Sequence, residues 1–91
     1  MRILIADDEE LTRNGIISSI DWESLGITQI DSADDGINAL SYAQKNAPDI
    51  LLTDVRMPRM DGIELSKRLR ELVNDCPIIF MSGYSDTEYL K

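Results

Sequence analysis

The sequence predicts an α/β fold, a doubly wound parallel sheet with helices on both faces. Three observations predict it. Four short apolar runs, starting near Arg2, Ile27, Asp49 and Pro77, alternate with segments of helical periodicity. The segments between them have helix length, so successive strands are joined by right-handed crossovers rather than hairpins. Polar residues collect where the apolar runs end, at Asp7-Asp8, Asp54 and Ser82. Open parallel sheets bind ligands outside the carboxyl ends of their strands.

The first run, Arg2-Ile3-Leu4-Ile5-Ala6, reads as a buried strand that leads into the acidic loop Asp7-Asp8-Glu9-Glu10. From Leu11 the pattern is helical, with Leu11, Gly15, Ile16 and Ile20 on one side and acidic residues in the first turn, where the helix dipole favours them. Asp21-Trp22-Glu23-Ser24-Leu25-Gly26 closes this helix; Gly26 supplies the terminating turn and Trp22 a satellite core anchor. Ile27 to Ala33 mixes polar residues into a β-like run, as an edge strand does. Asp34-Asp35-Gly36 turns the chain into a second helix, whose inner side carries Ala39, Leu40, Ala43 and Ala47 and which Pro48 stops. Ile50, Leu51 and Leu52 form a strand covered on both faces, with Asp54 at its carboxyl end. Asp61-Gly62-Ile63-Glu64 has the form of a capping box, and Leu65, Leu69 and Leu72 carry a third helix from about Gly62 to Val73. Pro77 to Met81 is a fourth apolar strand, and Ser85-Asp86-Thr87-Glu88 is a second capping-box pattern that opens another helix. The polar second strand belongs at an edge, which gives a flavodoxin-like order 2-1-3-4 with the fifth strand and fifth helix of that arrangement missing.

Composition narrows the function classes. At 91 residues, 43% hydrophobic and 29% charged, the chain reads as one soluble globular domain over residues 1–91. Seventeen acidic residues against nine basic ones leave a net charge of −8, which argues against direct nucleic-acid binding by this segment. No apolar run approaches a membrane span, and the first strand turns acidic too early for a signal peptide. A single cysteine, Cys76, excludes an intrachain disulfide and favours a reducing, cytoplasmic setting. With no histidine, any chemistry falls to carboxylates and hydroxyls.

Adjacent first, third and fourth strands would bring Asp7, Asp8, Asp54 and Ser82 to one rim. Singly, each Asp reads as a helix cap or a surface carboxylate; placed together at strand ends, they form a pocket. Crowded carboxylates repel, and a hard divalent ion relieves them; Mg²⁺ suits a few carboxylates, a carbonyl and waters. A nucleophile, a metal and a hydroxyl donor are the components for accepting a phosphoryl group on a carboxylate.

The sequence here resembles a known family, the receiver domains of bacterial two-component response regulators. The resemblance spans the chain and is carried by Ile3-Leu4-Ile5-Ala6-Asp7-Asp8-Glu9, Ala33-Asp34-Asp35-Gly36, Pro48-Asp49-Ile50-Leu51-Leu52-Thr53-Asp54, Met57-Pro58-Arg59-Met60-Asp61-Gly62 and Ile78-Ile79-Phe80-Met81-Ser82-Gly83. It implies that Asp54 takes a phosphoryl group from a sensor histidine kinase. Asp8, Asp54 and the Arg56 backbone carbonyl would bind Mg²⁺ directly, Asp7 through water, and Ser82 would be the switch hydroxyl. The Asp21–Gly26 segment is similar to receivers that precede AraC-type DNA-binding domains, which implies regulation of transcription through a separate output domain. The family's phosphoryl-contacting Lys lies on a fifth strand that this chain stops before, and Lys45, Lys67 and Lys91 do not replace it. Tyr84, just after Ser82-Gly83, is placed to cover the pocket or, the reading favoured, to pack on the surface.

Two other classes compete with this reading. Mg²⁺-dependent phosphatases also use an Asp after a parallel strand, but Asp54-Val55-Arg56 lacks their second Asp, so a signalling acceptor rather than an enzyme is expected. The alternative is a receiver-like interaction module that is not phosphorylated in this truncated form. With the fifth strand missing, the apolar run around Ile78–Phe80 becomes an edge, and self-association there is expected.

Overall fold

The computed structural model describes residues 1–73 and 75–81. Its elements follow in the order β1 (Arg2–Ala6), α1 (Glu10–Ser19), β2 (Gln29–Ala33), α2 (Gly36–Lys45), β3 (Ile50–Asp54), α3 (Gly62–Leu72) and β4 (Ile78–Met81), with a 3₁₀ turn at Glu23–Leu25. The four strands form one parallel sheet, ordered β2-β1-β3-β4. The expected fold class and strand order are those observed. The Ser85–Glu88 capping pattern and Tyr84 lie outside the described residues.

One face of the sheet packs under α2 and α3. Its core joins Leu4, Ala6 and Leu51 to Ala39, Ala43, Leu65, Leu69 and Cys76. Leu4, Leu51, Leu65 and Leu69 are almost wholly removed from water, each worth roughly 1.5–3 kcal/mol of apolar transfer. The other face is thinner. Ile3, Ile5, Trp22 and Ile27 are buried there, and Ile16, Ile17, Ile30, Ile50, Leu52 and Met81 only partly cover them. The third strand is therefore not covered equally on both faces: its buried residues alternate with the half-buried Ile50 and Leu52.

The first helix departs most from expectation. None of its ten residues is buried, and the stripe Leu11, Gly15, Ile16, Ile20 is not its inner face. Leu11 is 87% exposed and Gly15 and Ile20 are exposed, whereas the adjacent pair Ile16 and Ile17 touches the sheet. α2 and α3 pack on each other as well as on the sheet, whereas among the described residues no helix packs alongside α1, so few of its apolar positions find cover. Two further inner positions also turn outward: Ala47 lies beyond the end of α2, and Leu72 at the end of α3 is half exposed. Ile27 is buried but precedes β2, where Trp22, its indole N–H on the Ile17 carbonyl at 2.9 Å, anchors the turn as expected. Gly26 closes the 3₁₀ turn at φ 78°, the left-handed region glycine enters without cost.

Candidate functional site

The central strand β1 presents four successive buried residues, Ile3 to Ala6, because both of its edges are paired. The ladder continues one step beyond the strand: the Asp7 N–H donates to the Ala33 carbonyl at 3.1 Å. On the other edge Ala6 is in register with Thr53, so Asp7 and Asp54 follow at the same end of the sheet. One carboxylate oxygen from each of Asp7, Asp8 and Asp54 lies within 4.8 Å of the others. Asp7 is buried, Asp54 half-buried and Asp8 exposed, so the cluster runs from the sheet rim out to solvent. The three carboxylates expected to converge do so.

Burial pushes the Asp7 carboxyl above its ordinary value. The Glu9 N–H, 2.9 Å from Oδ1, opposes this, the charges of Asp8 and Glu9 add to it, and the Arg13 guanidinium opposes it. Arg13 reaches back from α1 to donate to the Asp7 carbonyl at 2.6 Å, fixing the turn that carries both acidic residues.

The loop after Asp54 is held tightly. The buried Thr53 hydroxyl donates to the Asp54 carbonyl at 2.9 Å, and the Gly62 N–H donates to the Val55 carbonyl at 2.8 Å. A Cβ on Gly62 would collide with the Asp54 carbonyl oxygen, so only glycine lets α3 start this close to β3. Asp61 caps that helix by accepting the Glu64 N–H at 2.8 Å. Glu64 itself pairs forward with Arg68 at 2.9 Å. Arg56, whose carbonyl the resemblance assigns to the ion, is exposed in this loop. Ser82, the expected switch hydroxyl, lies outside the described residues.

The donor set fits Mg²⁺. It is all oxygen, carries the charge of several carboxylates and includes no softer nitrogen or sulfur. Opposite ligands of Mg²⁺ stand about 4.2 Å apart, so a cluster confined within 4.8 Å has the scale of one partly hydrated ion. Asp8 and Asp54, together with the Arg56 carbonyl, would hold it, with Asp7 behind them.

Two features escaped sequence reasoning. Arg13 carries a weak local signal, one helical turn past the acidic pair. The contact of Arg59 with Asp35 carries none, because the partners are 24 positions apart.

The family model for the response regulator receiver domain matches residues 3–91. The transcriptional regulatory protein HptR of Staphylococcus aureus is 39% identical over 90 residues, 99% of this chain and 35% of that protein. This chain thus spans about a third of the curated relatives it matches. A crystal structure of a two component transcriptional regulator AraC from Clostridium phytofermentans superposes with a TM-score of 0.91 at 63% identity, covering 98% of this chain and 72% of that one. The REC domain of AraT, a response regulator from Geobacillus stearothermophilus, superposes at 0.92 with 40% identity, covering 98% and 69%.

Proposed function

The chain belongs to the response regulator receiver domain family, and on that premise we propose that Asp54 is the phosphoacceptor of a two-component signalling system. The observation that carries this reading is the convergence of Asp7, Asp8 and Asp54 at the carboxyl ends of adjacent parallel strands. A carboxylate oxygen of Asp54 attacks the phosphorus of a phosphohistidine on a sensor histidine kinase. The P–O bond to Asp54 forms as the P–N bond breaks, and the electron pair leaves on the imidazole nitrogen. Mg²⁺, when bound, neutralises charge on the carboxylates and on the transferring oxygens. Asp54 supplies the nucleophile; with Asp8 and the Arg56 carbonyl it would hold the ion directly, and Asp7 would act through water. The chain is an acceptor of one phosphoryl group, not a turnover catalyst.

The relatives named as transcriptional regulators support an output through a separate DNA-binding domain. This segment, at a net charge of −8, does not itself grip nucleic acid. Among the described residues no helix is long and apolar enough to cross a membrane. A cytoplasmic setting fits transfer from a histidine kinase and an output on DNA. Self-association through β4 belongs to the same reading.

Incubation with Mg²⁺ and acetyl phosphate, followed by intact-mass measurement, should show one base-labile phosphoryl adduct that is absent in Asp54→Asn. An adduct of equal yield in Asp54→Asn would overturn the assignment.

A further inference from the structure

The β3–α3 loop contains a strained residue. The Met60 N–H donates to the Pro58 carbonyl at 2.7 Å, closing a three-residue γ-turn whose central residue, Arg59, has φ 67°. This is the rarer, strained form of the turn. Arg59 is the one described non-glycine residue at positive φ, and such a conformation persists only where its surroundings over-determine it.

The contacts that hold it come from the β2–α2 junction. Nε and Nη2 of Arg59 both lie 2.7 Å from Oδ2 of Asp35, and Nη2 donates to Asn38 Oδ1 at 3.2 Å. Asp35 is buried and also caps α2, its other oxygen accepting the Asn38 N–H at 2.7 Å. Beside this clasp, Gly36 packs so closely on the Met60 carbonyl that no Cβ would fit. The two loops are therefore tied by a charged fork and by a backbone contact. The tied loop is the one that begins at Asp54 and ends where Gly62 meets the Asp54 carbonyl.

We propose that Arg59 is a positioning residue for the phosphoacceptor site. Its clasp on Asp35 and Asn38 fixes the loop backbone that carries Arg56, and so sets how tightly the site takes Mg²⁺ and how fast Asp54 is phosphorylated. The inference rests on the proposed function and deepens it. The Arg59 side chain is 55% exposed and that of Asp35 only 9%, so the pair contributes some stability of its own, which relief of the strain at φ 67° offsets in a glycine variant. The effect of the clasp on the site is then read apart from the melting midpoint.

That difference defines the test. Arg59→Gly removes the guanidinium and relieves the strain, because glycine adopts the same φ freely. Its midpoint should stay close to wild type while the Mg²⁺ dissociation constant rises about three- to tenfold. That is less than the 10–100-fold typical of groups bonded directly to metal ligands. Asp35→Asn, which keeps the cap and loses the ion pair, should show the same loss and serves if Arg59→Gly folds poorly. Arg59→Lys should fall between, and the double variant should be no worse than either single one. Mg²⁺ titration followed by amide shifts, and labelling rates with acetyl phosphate, give the readouts. Wild-type affinity and rate in both single variants, or losses that add in the double variant, would overturn the proposal. A phosphoryl adduct of equal yield in Asp54→Asn would instead overturn the phosphoacceptor reading, and the inference with it.

Discussion

Asp7 and Asp35 are both buried carboxylates, yet their surroundings move them in opposite directions. Burial raises Asp7, and the opposing Glu9 N–H and Arg13 do not cancel it. Burial also raises Asp35, but the Asn38 N–H and the Arg59 guanidinium outweigh it and the net direction is down. The stability consequences follow from the signs. Asp35, lowered in the folded state, contributes stability above the ordinary value of 3.8 that is lost as pH falls through its folded value. Asp7, raised in the folded state, carries a penalty that is absent below 3.8 and grows as pH rises through its folded value. Mg²⁺ bound beside Asp7 as proposed would compete with that proton and relieve the penalty. The rise in melting midpoint on adding Mg²⁺ should therefore be larger at about pH 7 than at about pH 5. At one hundred times the dissociation constant the stabilisation is about 2.7 kcal/mol. Equal midpoint shifts at the two pH values would place the ion away from Asp7.

Among the elements, the three helices are built unequally. α2 and α3 each have an aspartate N-cap on a backbone N–H, at 2.7 Å and 2.8 Å, a basic residue in the last turn and buried residues on the inner face. α1 has no side-chain cap, no basic residue in its last turn and no buried residue. Each cap is worth about 1 kcal/mol, and buried apolar contacts add more. Local opening free energies track these differences. Amides of α1 should exchange with solvent faster than those of α2 and α3, by at least about tenfold for a difference near 1.4 kcal/mol. Native-state hydrogen exchange measures this directly, and α1 protection equal to that of α3 would show that Ile16, Ile17 and Trp22 hold it as firmly as a full core face. Asp61→Ala should cost α3 about 1 kcal/mol in a urea melt.

For the whole molecule, association is expected on the β4 side of the sheet. Among the described residues β4 pairs only with β3, and Ile79 and Phe80 are 54% and 39% exposed. Covering two such side chains again is worth roughly 3–6 kcal/mol. The net charge of −8 opposes contact, but salt at physiological strength screens it beyond about 8 Å. Short-range burial should win, giving a dimer whose fraction grows with protein concentration and falls in Ile79→Lys. Sedimentation over a concentration series checks it; a compact monomer at every concentration would sink the idea.

The sheet and the acidic cluster were legible in the chain alone, because both are written in local pattern. Apolar runs of strand length, helical spacing between them and polar residues at the run ends place Asp7, Asp8 and Asp54 on one rim once the crossovers are right-handed. The cap at Asp61 and the turn at Gly26 are likewise local, settled within a few residues. Which residues of α1 touch the sheet is a matter of packing: Leu11 and Ile16 look alike in a periodic pattern, and the line of contact with the sheet chooses between them. The same holds for Gly62 against the Asp54 carbonyl and for Arg59 against Asp35. These contacts join residues far apart in the chain through the packing of two loops, and neither periodicity nor capping chemistry reports on partners at that distance.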